Sequence, residues 1–297
     1  MSLPSPPADP LSNQPRALRP AYATGMLLDA RDFSDEQTYH RGRLARALVF
    51  LAGGGTLAGL GLSHVPEASG QVESLRVDPG LAVDRLGRLV EIPRAACIRL
   101  PRWWTGQDAA TLVQASYADP ARFVSRRLAD SAPVLPARAL VADVFVRFAA
   151  CPVGLSPSFA SGPYDSLDAV ATARLCDAYE LRLVARTGLD DSYTGLPPPP
   201  GAAAVGDAGA SAAARRDAMQ DAILAAYPGA YQGDGQALPP APEQPDDIDP
   251  SAVFLGRLFL PVDAGDPPGR TTDAPVTDNW GRRFLPPQAL LAQWHGL

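Results

Sequence analysis

The chain contains no lysine: all 26 of its cationic side chains are arginine. That absence removes whole classes of chemistry. No Schiff base can form on a lysine amine, and no phosphate loop can close with its lysine. Histidine is scarce, with only His40, His64 and His295. Cysteine is limited to Cys97, Cys151 and Cys176, none in a CxxC pair. An odd number at such spacing argues against a disulfide framework and suits a reducing compartment. Basic charge is in deficit, with a net charge of -6 and a pI near 5.1. A nucleic-acid surface needs a basic face, so nucleic acid is not an expected partner. The longest apolar stretch, residues 45–62, is broken by Arg46 and several glycines, so no membrane insertion is expected. The opening MSLPSPPADPLSNQP lacks a basic segment followed by an apolar one. No signal peptide is expected, and the location that follows is cytoplasmic.

What remains is the composition of a folded protein. Hydrophobic residues make up 46% of 297, and a chain of this length buries roughly 75% of its unfolded surface. The 32 prolines cluster, which predicts arms and loops around a folded body. Residues 1–20 read as an extended N-terminal arm, ordered where a partner holds it. Asp32 to Leu51 has helical periodicity, with Ser34 and Gln37 at capping-box spacing. Phe33, Gln37, His40, Leu44, Leu48 and Leu51 share one face, expected to be the packed one. Gly53, Gly54 and Gly55 end it. In VDPGLAVDRLGRLVEIP, residues 77–93, two apolar runs flank Asp84-Arg85-Leu86-Gly87, the pattern of a hairpin. Residues 56–65 fit a strand or a tight loop.

Residues 101–137 read as a helical insertion. Gln107 to Tyr117 is helix-capable, and Asp119-Pro120 is an N-cap and N1 pair leading Ala121 to Leu128. Ala139 to Ala149 alternates strictly and is the clearest strand. A Pro-, Ser- and Gly-rich loop is expected over Pro152 to Pro163, then a polar, helix-capable piece carrying Cys176. Tyr179 to Val184 and Ala252 to Val262 are further strands. Residues 190–250 read as a mobile, low-complexity insertion holding one helix, Ala212 to Tyr227. Asn279 to Leu285 predicts a turn and strand, and Gln288 to Trp294 a last helical turn.

Few residues invite a chemical role. Gly61-Leu62-Ser63-His64-Val65 lacks the final glycine of a nucleophile elbow. The glycines at 53–61 follow a helix where a dinucleotide loop opens one. His40, on the presumed apolar face, reads as a core or interface histidine. Asp190-Asp191 and Asp246-Asp247-Ile248-Asp249 lie in Pro-flanked segments and read as solvated charge, lacking calcium-loop spacing. Trp103, Trp104 and Tyr117 admit two readings: a stacking platform for a glycan or other surface ligand, or packing and interface anchors. Neither catalytic residues nor a cofactor or metal set is indicated.

Several motifs recur in a telling order. YATGMLLDARDFSDEQTYHRGRLARALVFLAGGGTLAGLGL precedes LRVDPGLAVDRLGRLVEIP. LVADVFVRFAACPVGLSP, LCDAYELRLV, AVFLGRLFLP and TDNWGRRFLPPQALL follow. This order resembles a family of proteins encoded with phage-tail-like contractile injection systems and related baseplate clusters. Family members carry a GMLL-x3-DF-x2-EQ-x-YH-x2-RL segment before a PG-x-A-x-D-x2-GR hairpin. They are bulkier after the helix, where this chain has its glycine run. The resemblance implies no enzymatic activity. It implies a structural or adaptor protein near a baseplate or tail end, not an enzyme, assembled in the cytoplasm into a particle. Its partners would be baseplate, tube or sheath subunits and copies of itself.

The expected fold is α+β and mainly β. An N-terminal helix precedes antiparallel β units, with Pro/Gly-rich insertions. The expected divisions are the arm at 1–20, a helix and small β unit at 21–100, the helical insertion at 101–137, and a β domain at 138–297. The candidate interface or ligand-binding residues are Trp103, Trp104, Tyr117, Phe33 and His40.

Overall fold

The computed structural model describes residues 9, 11, 18–157, 170–189, 209–230, 238, 240–245 and 247–295. The fold is α+β and strand-rich: an N-terminal helix followed by antiparallel sheets. Helix α1 spans Ala30–Ala52, starting two residues before the expected Asp32. Its N-cap is Asp29, whose carboxylate accepts from the Arg31 and Asp32 amides while Asp32 reaches back to the Asp29 amide. The capping box is therefore Asp29–Asp32, and the expected Ser34 instead donates to the Ala30 carbonyl inside the helix. Gly53, at φ +76, ends α1 as predicted.

Six short strands follow: β1 Gly55–Gly59, β2 Leu62–Val65, β3 Ser74–Val77, β4 Gly80–Val83, β5 Leu89–Ile92 and β6 Ala96–Arg99. They form two three-stranded sheets, β1-β4-β5 and β2-β3-β6. The predicted hairpin is β4–β5, with Val83 opposite Leu89 and Gly87 at φ +84 in its turn. Residues 56–65 are thus two strands, split by Leu60. Leu60 is a fully buried leucine at φ +59, a left-handed conformation a branched side chain adopts only under constraint. The C-terminal NWGRR segment supplies that constraint. Arg282 donates to the Leu60 carbonyl at 2.6 Å. The Asn279 side chain pairs with both the amide and the carbonyl of Leu62.

Helices α2 Leu100–Thr105 and α3 Ala109–Gln114 come next, then β7 Ser116–Tyr117. The helix expected over 107–117 is thus shortened to α3, with β7 at its end, and Asp108 caps α3 through the Thr111 amide. Asp119-Pro120 opens only a 3-10 turn, Pro120–Phe123, and Asp119 makes no side-chain cap. Helix α4, Arg126–Asp130, has its own cap in Ser125.

The central sheet has the order β11-β10-β8-β7, with β9 paired to β8. Its strands are β8 Ala139–Pro157, β9 Val170–Ala185, β10 Val253–Pro261 and β11 Val276–Asp278. β8 and β9 run further than their periodicity showed. Pro152 to Pro157 is strand and not loop, and Cys176 lies in β9, not in a helical piece. Residues 158–163 of the expected loop lie outside the described residues. Ribbon pairing overrides the weak local propensities of CPVGLSP and ATARLC, because each strand satisfies the other's backbone.

Both faces of β10 and of the Ala139–Val146 part of β8 are buried. One face, with Leu140, Ala142, Val144, Val146, Leu258 and Leu260, joins Leu62, Leu75, Val77, Val90 and Ile92 of the small sheets in one core. The 56–100 unit and the later strands therefore occupy separate sheets over a shared interior. The other face carries Val141, Phe145, Phe254 and Phe259. Phe123 and Val124 cover part of it, and Ile248 and Ala252 the rest. Each fully buried leucine or phenylalanine contributes roughly 2 kcal/mol.

Two expected insertions are thus structural covers. Residues 101–137 are integral to the body. The C-terminal end of the 190–250 stretch is also packed: Ala241, Glu243, Gln244 and Ile248 are all buried. Its order comes from Gln244, which accepts from the Ala241 amide and donates to the Ala252 and Pro250 carbonyls. Helix α5, Ala212–Ala230, contains the predicted helix and extends it. Asp190-Asp191 and the proline run at 197–200 lie outside the described residues. Helix α6, Gln288–His295, closes the chain.

Candidate functional site

The β4–β5 turn is a buried junction. Asp84 is fully buried, and its carboxylate accepts from the Leu86 and Arg88 amides, each at 2.9 Å. Arg88 closes on it at 2.6 Å, then reaches Asp9 at 3.1 Å and Ser251 Oγ at 2.8 Å. Burial alone lowers the Arg88 pKa, but the Asp84 and Asp9 carboxylates outweigh it and hold the guanidinium above its ordinary value. Asp9 also pairs with Arg41 of α1 at 3.2 Å, and Leu11 is buried. The N-terminal arm, expected to need a partner, is thus fastened to its own body at these two residues. Gly87 makes the helix–hairpin contact possible. A Cβ there would stand 1.9 Å from the Ala45 carbonyl oxygen. This explains the compact hairpin: its turn is the socket for α1, the arm and the 241–251 segment.

That contact sets the phase of α1. The helix turns Ala45, the one buried residue among its 23, to the body, flanked by half-buried Gly42 and Val49. Most of the expected packed face looks outward instead, with Leu48 half-buried. Phe33, Leu44 and Leu51 are 51%, 58% and 83% exposed. His40 is exposed as well, 4.0 Å from Glu36 and in a T-shaped ring contact with Tyr39. Phe33 and His40 are therefore not core residues. Small residues won the packed side because Gly87 lets backbone approach backbone, and no large side chain fits between.

The second exposed feature is the β8–β9 ribbon. β10 pairs with β8 only as far as Val146, while β9 continues to the Pro157–Val170 partners. Every residue from Cys151 to Pro157 is exposed, with Leu155 at 74% and Leu175 at 54%. Helix α5 likewise exposes Met219, Ile223 and Leu224.

The predicted aromatics do not form one platform. Trp103 and Trp104 are half-buried and pack on the main core. The Trp103 indole donates to the Leu183 carbonyl at 2.7 Å. Tyr117 belongs to the other side of the sheet, edge-on to Phe123 with ring centroids 4.7 Å apart. Its hydroxyl donates to the Arg186 carbonyl and accepts from the Leu189 amide; burial raises its pKa. Sequence reasoning missed a more exposed aromatic pair, Trp280 and Phe284, 40% and 50% exposed. Arg127 lies 3.6 Å over the Trp280 ring. The signal was the RRFL run after Asn279, where aromatics and arginines alternate closely.

His64 is structural. Its Nε2 lies 2.9 Å from Glu73, whose carboxylate also receives two bonds from Arg270, at 2.6 and 2.7 Å. The Arg270 bonds hold Glu73 below its usual carboxylate pKa. Ser63 and His64 are successive strand residues and point to opposite faces. The acidic run is not uniformly solvated either. Asp249 is held by the Ser251 hydroxyl and amide and sits below its ordinary pKa although burial opposes this. Asp247 is the exposed member, near Arg182, and Asp246 lies outside the described residues.

Among the described residues no three metal-ligating side chains cluster, and no helix is long and apolar enough to cross a membrane. No protein-family model matches the chain, and comparison with curated proteins finds no match.

Proposed function

We propose that this protein is a structural or adaptor subunit of a contractile, phage-tail-like particle, placed at the baseplate or another tail end. It acts through protein–protein interfaces and not through catalysis. The observation that carries this reading is α1. Its outward stripe of Phe33, Leu44 and Leu51 has the periodicity of a packed helix face, yet it meets solvent in the isolated chain. The ribbon and α5 add two further exposed apolar elements. The resemblance of the ordered motifs to a particle-associated family supports the same reading. The partners are baseplate, tube or sheath subunits, with further copies of this chain in the particle. Assembly takes place in the cytoplasm.

The test is affinity purification of the tagged protein from its native host, with mass spectrometry and negative-stain imaging. Co-purifying sheath and tube proteins with rod-shaped particles are the expected result. A monomer free of particle proteins, from cells that are producing particles, overturns the reading.

A further inference from the structure

In the outer part of the ribbon, Cys151 stands directly opposite Cys176. Opposite residues of an antiparallel pair lie about 4.5–5.5 Å apart at Cα and carry their side chains on the same face. A disulfide needs a Cα separation of about 4.4–6.8 Å. The backbone pairing therefore already supplies the spacing. Both thiols are free and exposed. They share the face of Arg147 and Glu180, away from the core residues Val146 and Phe148. Their same-face neighbours are Ala149 opposite Ala178 and Val153 opposite Arg174, so the inner pair adds no bulk. Cys97 lies opposite Arg76 and has no thiol across from it.

We infer that Cys151 and Cys176 form a dithiol site whose substrate is a small-molecule disulfide, and that reaction closes a cross-strand link in the ribbon. One thiolate attacks the small disulfide, breaking its S–S bond and forming a mixed disulfide as one small thiol leaves. The second thiolate attacks the protein sulfur of that mixed disulfide and displaces the other small thiol. The two protons lost by the cysteines are taken up by the two departing thiolates. The protein is oxidised by two electrons and the small disulfide is reduced to two thiols. The link lies beyond Val146, where β10 no longer braces β8. It fixes strand register where only two strands are paired. The ribbon stays open where small thiols prevail and closes where small disulfides prevail.

The test equilibrates the intact folded protein with glutathione buffers of rising oxidised fraction. Free thiols are then quenched by alkylation and mapped by peptide mass spectrometry. The expected product has lost two hydrogens, links Cys151 to Cys176 and leaves Cys97 alkylated. Closure in the folded protein is expected at a ratio of oxidised to reduced glutathione at least tenfold lower than in denaturant. Cys151→Ser and Cys176→Ser are each expected to leave the remaining thiol with a glutathione adduct. Separate adducts on both wild-type cysteines, disulfides only between molecules, or equal closure in denaturant each overturn the inference.

Discussion

The most demanding test of the fold is the charge pair inside the central sheet. Asp143 and Arg257 are direct partners across β8 and β10. The contact is bidentate, at 2.7 and 2.9 Å, and the side chains are 0% and 4% exposed. Arg186 approaches the same carboxylate at 3.3 Å from a side chain 9% exposed. Asp143→Asn keeps the shape and removes the charge, leaving two guanidinium groups buried beside a neutral amide. Removing one partner of such a pair costs about 3–5 kcal/mol, because the surviving charge stays desolvated. At about 2 °C per kcal/mol for a chain of this size, the melting temperature falls by about 6–10 °C. Scanning calorimetry and urea titration measure both quantities. Asp143→Leu combined with Arg257→Met is expected to lose less than the sum of the single changes, since an apolar pair leaves one charge fewer to compensate. A loss below about 1 kcal/mol for Asp143→Asn would refute the argument that this pair is desolvated and essential.

Other outcomes follow from the same geometry. Gly87→Ala should destabilise by at least about 1–2 kcal/mol through its left-handed backbone alone. It should also raise amide exchange along α1, because the Ala45 backbone must move away. Glu73 titrates below its ordinary value in the folded state, so its stabilisation is present above the unfolded value of 4.5. That stabilisation is lost as pH falls through the lower folded pKa. Glu73→Gln should accordingly lower the urea midpoint at about pH 6 and above, where the carboxylate's contribution is fully present, and lower it less at acid pH, flattening the acid limb of the profile. Asn279→Ala should cost about 1–3 kcal/mol by leaving the Leu62 amide and carbonyl without their partner. Leu44→Asp with Leu51→Asp should shift stability by no more than about 0.5 kcal/mol per site. The same double variant should abolish recovery of particle proteins from the native host.

The strands that were legible in the sequence are those whose pattern is carried by core burial. Leu140 to Phe148 enter the core in strict alternation, and in Val253 to Pro261 the alternation holds on either side of the bulge at Gly256. On the other face of β8, Asp143 is buried against Arg257. A pairing across 114 positions leaves no local trace. The covers of that face were unreadable for another reason. Prolines and aspartates around Gln244 resemble a linker by composition, and their order depends on one side chain bonding to the carbonyls six and eight residues further on. For α1 the period was right and the phase wrong. Hydrophobicity marks a face that is buried in some state, and the contact with Gly87 selects a different face within the single chain.

That last disagreement connects fold to function. A helix normally hides its apolar stripe, since exposing three or four large side chains forgoes several kcal/mol of burial. Here the socket at the β4–β5 turn holds α1 by its small side. Asp9, Arg41, Asp84 and Arg88 tie the same region together with charges. The stripe is therefore displayed by structure and not by looseness. The ribbon shows the same division of labour. Its base, from Ala139 to Val146, is braced by β10, while its outer half keeps register without a third strand. A body sealed on both faces of its central sheet needs neither projection for its own core. Rigidly presented apolar surface that a core does not need is what the proposed particle subunit would bury against a neighbour.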